Sequence, residues 1–542
     1  MKDIVRNILF IMPPVCPANE MMGKNLAPYK EIPYGLLSLA AYLKKYCKIR
    51  INVEILDLNV ADSNRFQEDI DQTMERFNPE IVGISGLFNS MFNYVNEFSS
   101  CIKEKYPNVL LVVGGNVSTN CYDLLFKLNK YIDGACYAEG EVPMLLLAEA
   151  TNPFDALENC PSWITRNKVS AGKVPSPTFI ESLDEIPPLD YSMITLDKYD
   201  SRCRNNNPVN HNEEHAIRLP FITTRGCPFN CVFCAASSLS GKKVRFVSAE
   251  RVIADIKRAK EKYKMTRIVI NDDQALIDKD RIKKILTAIA DLNLVLEFPS
   301  GLNAKFVDEE MAIKLKRAGL DVANLAIESG SEYVLKNIIN KPLKMSDIRP
   351  AVAALRKNGL FVHGFFIFGF PGERDSDRNA TVDLIKDVGF DWSNIYVAAP
   401  LRGSRLYKIC VDKGYISGDD DILQATIYES SIKTSEIVPE VITKYVYRVN
   451  LDVNFVNNYR MKTGDYEIAK GYFSNVVKNH PSHAFAHYYL ARAYEGLGSD
   501  KTLIAKHMDL FYEIIKTDNE WAEYAREFKL ASNDAPSTLS AN

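Results

Sequence analysis

The chain has 542 residues, 46% hydrophobic and 25% charged, which is the balance of ordinary globular proteins and enough length for roughly three or four domains. A formal net charge of −3 argues against the basic excess of a nucleic-acid binder. No run of about 18 apolar residues is present, so no transmembrane helix is expected.

The opening run "NILFIM" stops at Pro13 and Pro14 and lacks a small-residue cleavage site, so it reads as a buried strand rather than a signal peptide. The 11 cysteines are mostly scattered singly, as in a protein of a reducing, cytoplasmic compartment. Residues 1–150 alternate strand and helix: "NILFIMPP", "GLLSLAAYLKKY", "INVEILDLN", "RFQEDIDQTMERF", "EIVGIS", "MFNYVNEFSSCIKEKY", "VLLVVGG". Near-continuous apolar strands between amphipathic helices predict a doubly wound parallel sheet, flavodoxin-like in kind. Such sheets bind ligands at the carboxyl ends of their strands. Residues 151–215, with "EIPPLDYS" and "NNNPVNHNEEH", read as an irregular linker.

A second strand–helix series fills 216–425, from "PFITTRG" to "NIYVAAPLRGS". About six such units predict a partial (β/α)6 barrel with its strand-end loops on one rim. From 426 to 542 β character fades. "DYEIAKGYFSNVVKNHPSHAFAHYYLARAYEGLGS" resembles a tetratricopeptide hairpin, with Ala469, Phe473 and Pro481 at the repeat's spacing. Two readings follow: helices packed on the barrel, or a docking surface for a protein partner.

"TRGCPFNCVFCA" places Cys227, Cys231 and Cys234 in the order C-x3-C-x2-C. Structural zinc would need four ligands, one of them His211 or His215, and is usually built from paired Cys-x2-Cys knuckles. A [4Fe–4S] cluster held by three thiolates leaves one iron open, which suits catalysis. The spacing, with Phe233 before the last cysteine, resembles the radical S-adenosylmethionine (SAM) superfamily. That resemblance implies that the open iron chelates SAM and that Phe233 packs beside it. Further stretches carry it along the barrel: "VINDD" (Asp272, Asp273), "FPSGLNA" (Ser300, Asn303), "LAIESGS" (Glu328, Ser329) and "GFFIFGFPGE" (including Gly369). In the family these strand ends contact the SAM amino group, its ribose or carboxylate, and its adenine. Either Asp272 or Asp273 takes the amino group. Gly226, Gly369 and Gly372 fit sharp bends or close approach to a ligand.

The first domain resembles the cobalamin-binding domain found ahead of many radical SAM barrels, through "PYGLLSLAAYLKK", "PEIVGISG", "LLVVGGNVS" and "YAEGE". The resemblance implies cobalamin contacts at Ser85, Leu87, Gly114, Gly115, Asn116 and Ser118, with the glycine pair allowing close backbone approach. The first histidine of the chain is His211, so this domain has no axial histidine to offer, and cobalamin is expected base-off and His-off. Cys16 is the one soft ligand in the loop after the first strand, and a spectator thiol is the simpler reading.

The family resemblance therefore implies a methyltransferase in which a 5′-deoxyadenosyl radical activates a small-molecule substrate and methylcobalamin delivers methyl to carbon or phosphorus. An external flavodoxin- or ferredoxin-type electron donor is implied with it. The alternatives are a cyclase or rearrangement enzyme of porphyrin-cyclase type and, outside enzymes, a cobalamin- or partner-binding module. No methylthiotransferase-like triple-cysteine motif occurs in the first domain. Tyr137, Tyr396, Arg402 and Arg405 are conceivable substrate contacts.

Overall fold

A computed structural model describes residues 5–15, 30–199, 216–417 and 426–531. Cys16, His211 and His215 lie outside the described residues. The first sheet runs β2 (Arg50–Asp57), β1 (Val5–Met12), β3 (Ile81–Ser85), β4 (Leu110–Gly114), β5 (Gly134–Cys136), β6 (Trp163–Ile164). β1 to β5 are parallel, in the flavodoxin-like order 2-1-3-4-5, so the strand order reverses between β1 and β3, which is the topological switch point. β1 buries Ile8, Leu9, Phe10, Ile11 and Met12 in succession, because helices cover both faces of the sheet.

The stretch 151–215 is more than the irregular linker its composition suggests. Helix Pro153–Asn159 starts with Asn152 capping the Phe154 amide, and β6 then pairs antiparallel with β5 and closes that sheet edge. Trp163, fully buried, donates its indole N–H to Pro143 O and anchors the addition. The proline- and asparagine-rich composition hid these short elements, since a two-residue strand has no periodicity to read.

The second unit has six parallel strands in chain order: β7 (Arg218–Phe221), β10 (Arg267–Ile270), β11 (Val295–Glu297), β12 (Val322–Glu328), β13 (Phe361–Phe368) and β14 (Trp392–Val397). Two single parallel bridges, Leu296 to Leu320 and Leu302 to Leu325, join its two three-stranded halves. Alternation puts Leu325, Ile327, Val362, Phe366 and Ile395 outward into the helix-covered core. The opposite set, including Asn324, His363, Phe365 and Tyr396, faces the barrel interior. A small antiparallel hairpin, β8 (Thr224–Arg225) with β9 (Arg245–Phe246), interrupts the pattern after β7.

The tail is helical, from Pro439–Leu451 to Asn519–Glu527, and it packs on the barrel. Asn454 brackets the Ser393 backbone, accepting from its N–H at 2.8 Å and donating to its carbonyl at 2.7 Å. Tyr472 reaches the barrel floor, where its hydroxyl bonds His363 Nε2 at 2.9 Å and its ring stacks on Trp392 at 5.5 Å. Burial pushes His363 down to about 3, so it stays neutral against that hydroxyl.

Tyr472 is therefore part of the barrel's own packing. Replacing it with alanine should cost about 3–5 kcal/mol, as for other buried aromatics, and Tyr472→Phe about 1–2 kcal/mol through the orphaned histidine nitrogen. Urea denaturation reads both values, and hydrogen exchange should show β13 and β14 loosening together with the tail.

Candidate active site

Right-handed crossovers bring the carboxyl ends of the six barrel strands to one rim. The cysteine loop leaves the rim after β8. Gly226 starts it at φ +98°, where an added Cβ would stand 2.3 Å from Lys243 O, so the crossing of the hairpin requires glycine. The Cys227 amide donates to Gly241 O (3.1 Å). The middle of the loop is pinned to the barrel: Val232 N–H donates to Ile339 O (2.8 Å), and Leu406 N–H donates to Val232 O (2.7 Å). Phe233 packs on Phe370 with centroids 6.1 Å apart.

Cys227 is buried, Cys231 half-buried and Cys234 exposed as a residue. Desolvation raises all three thiols, and Cys234, although the most exposed residue of the three, is pushed up to about 11. The thiols are thus neutral until a metal takes their protons' place. Among the described residues no three His, Cys, Asp or Glu side chains gather around a single ion. Thiolates that each hold a different iron of a cluster need no such convergence.

The adjacent aspartates have different environments. Asp272 accepts from Thr223 N (2.6 Å), Thr223 Oγ1 (2.6 Å) and Thr224 N (3.0 Å), so it braces the turn that launches the cysteine loop. Asp273 is pushed up to about 6 by burial and by the neighbouring Asp272 charge, with the Gly226 amide as its opposing donor. No lysine or arginine is paired with Asp273 among the described residues. A half-buried, partly desolvated carboxylate in that condition favours a cation beside it.

On β12, Glu328 sits at φ +71° beside a register shift, a strained conformation for a non-glycine residue. Its carboxylate pairs with Lys341 Nζ at 2.9 Å, both side chains nearly buried. Lys341 also faces Cys231 and Cys234, and the sequence reading missed it, because a lone lysine after a helix carries no signal. Ser329 is held by Thr381 Oγ1 and by the Ser331 amide. Asn303 accepts from Lys305 N as a helix cap, whereas Ser300 is exposed. Gly369 sits at φ +85°, and an added Cβ would stand 2.8 Å from Ile442 of the tail, so backbone and packing both favour glycine there. Its N–H donates to Glu373 Oε2 at 2.6 Å, and Glu373, fully buried, is pushed up to about 7.

In the first domain, the crevice at the strand ends holds Ser85 at the end of β3, the exposed Leu87, and Gly114 at the end of β4. An added Cβ at Gly114 meets open space, whereas one at Gly115 would meet Gly86 O at 2.8 Å. Close approach at Gly115 is therefore to the β3 loop. Ser118 Oγ lies 2.6 Å from Cys136 O and 2.9 Å from Gly115 O, deep in the domain. Asn116 donates to Asn89 Oδ1 (2.7 Å). Of the conceivable substrate contacts, Tyr396 meets Phe365 and Tyr428 edge-on, while Arg402 pairs with Asp123 of the first domain.

The two carboxylates separate cleanly by mutation. Asp272→Asn should cost about 1–3 kcal/mol of stability by disrupting buried hydrogen bonds. Asp273→Asn should leave stability unchanged or improved; if Asp273 is the acid expected from the sequence to meet the SAM amino group, the change should weaken SAM binding by about tenfold or more, the worth of one charge-assisted contact. Thermal unfolding and equilibrium dialysis of SAM read the two effects.

Residues 221–385 match the radical SAM superfamily and residues 25–148 match the B12 binding domain. The chain is 28% identical to an uncharacterized methyltransferase of Pyrococcus horikoshii, over 75% of this chain and 83% of that one. It is 26% identical to cytidylyl-2-hydroxyethylphosphonate methyltransferase of Streptomyces wedmorensis, over 79% of this chain and 87% of that one. Its fold is similar to that of the radical SAM methyltransferase TsrM from Kitasatospora setae with cobalamin and [4Fe–4S] cluster bound, at a TM-score of 0.60 and 14% identity, covering 95% of this chain and 100% of that one.

Proposed function

Because the chain belongs to the cobalamin-binding radical SAM enzymes, we propose that it is a methyltransferase acting on a small molecule at an unactivated carbon or at phosphorus. The observation that carries the reading is the half-buried carboxylate of Asp273, without a lysine or arginine partner among the described residues, beside three cysteines on one rim loop. When bound, the cluster supplies one-electron cleavage of SAM, and cobalamin supplies a methyl carrier.

The residues present fit these groups. Cys227, Cys231 and Cys234 hold three irons and leave one for SAM. Asp273 takes the SAM ammonium, since the oxygens of Asp272 already serve the Thr223–Thr224 turn. Lys341, held in place by Glu328, presents its ammonium toward the same loop and suits the SAM carboxylate. Phe233 on Phe370 shields the loop from water. In the first domain, Gly114 leaves the room a corrin tail needs at the strand ends, with Ser85, Leu87 and Asn116 at its edge. Without a histidine before position 211, the domain would offer bound cobalamin no axial histidine. The substrate lies in the barrel interior against Phe365 and Tyr396.

Electrons come from an external flavodoxin- or ferredoxin-type donor. The nine described cysteines are all free, which supports a reducing, cytoplasmic setting. Among the described residues no helix is long and apolar enough to cross a membrane.

Anaerobic reconstitution with SAM, cobalamin and dithionite tests this. Wild type should yield both S-adenosylhomocysteine and 5′-deoxyadenosine; 5′-deoxyadenosine alone would point to cyclase-type chemistry. Cys231→Ala should abolish 5′-deoxyadenosine and leave cobalamin binding within about twofold, since cluster and corrin sit on separate folds. SAM cleavage surviving that change would overturn the reading of the loop.

A further inference from the structure

The cysteine loop is tied to the first domain on both flanks. On the leading side, Arg225 of β8 donates to Glu141 Oε1 at 2.7 Å and lies 3.5 Å from Glu139. Arg245, its partner across the hairpin, holds Glu139 bidentately at 2.8 and 2.6 Å. Ser38 donates to Glu141 at 2.9 Å. The four charged side chains are 3% to 11% exposed, so two positive and two negative charges leave water together. On the trailing side, a relay of short amides crosses the same boundary. Asn116 donates to Asn89 (2.7 Å), Asn120 to Asn116 (2.6 Å) and again to Ser238 Oγ (3.0 Å), and Ser238 donates to Ala235 O (2.7 Å). Gly403, on the barrel rim, seats Asn120: an added Cβ would stand 2.4 Å from Asn120 Cγ.

We propose that these two tethers are an alignment device that references the cluster loop to the cobalamin crevice, with Glu139, Glu141, Arg225, Arg245, Asn120 and Ser238 as positioning residues. The proposal rests on the cofactor placement above. Among the described residues, the middle of the loop bonds to the barrel through Val232, while both its flanks bond to the first domain, so its position is set by two bodies at once. The charges balance only when the domains are docked, which makes partial separation costly. The relay ends at Asn116, in the crevice, and at Ala235, next to Cys234. Transfer between two bound cofactors depends steeply on their separation, and a displacement of about 1 Å can cost on the order of a hundredfold in rate.

The test uses Asn120→Ala and Ser238→Ala in the full chain, with Gly403→Ala as a wedge against Asn120. Each is first loaded with iron, sulfide and cobalamin, and the contents are compared with wild type. The alignment role predicts 5′-deoxyadenosine formation within about twofold of wild type and S-adenosylhomocysteine formation down about tenfold or more. Hydrogen exchange of the apo chains supplies a readout independent of activity: Asn120→Ala should speed exchange in residues 227–240, across the domain boundary. Equal loss of both products, or no change in the ratio together with unaltered exchange at 227–240, overturns the proposal. A wild-type enzyme that makes no S-adenosylhomocysteine overturns the methyltransferase reading instead, and the exchange experiment then decides the tethers alone.

Discussion

The burial of Arg225, Arg245, Glu139 and Glu141 in one network is the constraint on which the arrangement of the molecule depends. Removing a charge from water costs several kcal/mol unless partners replace the solvent, and a buried charge stripped of its partner typically destabilises by about 3–5 kcal/mol. Here the partners come from different domains. The doubly wound domain supplies the carboxylates, around the start of helix Glu141–Glu149, and the barrel supplies the guanidinium groups on the hairpin that brackets the cysteines. The carboxylates of one domain and the guanidinium groups of the other are paired across the boundary, so separating the domains would leave buried charges without partners.

The same desolvation logic organises the site itself. Asp272 and Asp273 are neighbours on one strand end, yet one is surrounded by donors and the other is left nearly without them. The first is a brace, and the second has no cationic partner among the described residues, which is what the proposed role beside the SAM ammonium asks of it. Glu328 and Lys341 make the complementary case, a buried pair whose acid sits on strained backbone, so the ammonium is held toward the cysteines rather than left to wander. The tail contributes from below. Tyr472 and Asn454 complete a barrel that six strands leave open, which accounts for helices that resemble a docking repeat in sequence but pack inward.

Much of this was legible in the sequence because the signals were periodic or chemically rare. Long apolar strands alternating with amphipathic helices announced both α/β units, and three cysteines in eight residues announced the cluster loop. What escaped was aperiodic. Strand β6 is two residues long, and its tryptophan anchor is defined only by a carbonyl twenty residues away. Lys341 and Arg225 are single charges whose meaning lies in partners distant in sequence. Glycines are conspicuous in the sequence, but the protein neighbours that crowd Gly115 and Gly369, Gly86 and Ile442, are distant in sequence and carry no local signal. The choice between Asp272 and Asp273 depended on counting donors, which no spacing encodes.

The central claim is that the three-cysteine loop leaves one iron to SAM, with Asp273 holding its ammonium. Electron–nuclear double resonance on the reduced cluster, with SAM labelled with 15N at the amino group and 17O at the carboxylate, tests it directly. Nitrogen and oxygen couplings to the cluster are expected in wild type, with weakened nitrogen coupling in Asp273→Asn. A reduced cluster with SAM bound but no coupling from either label would contradict it.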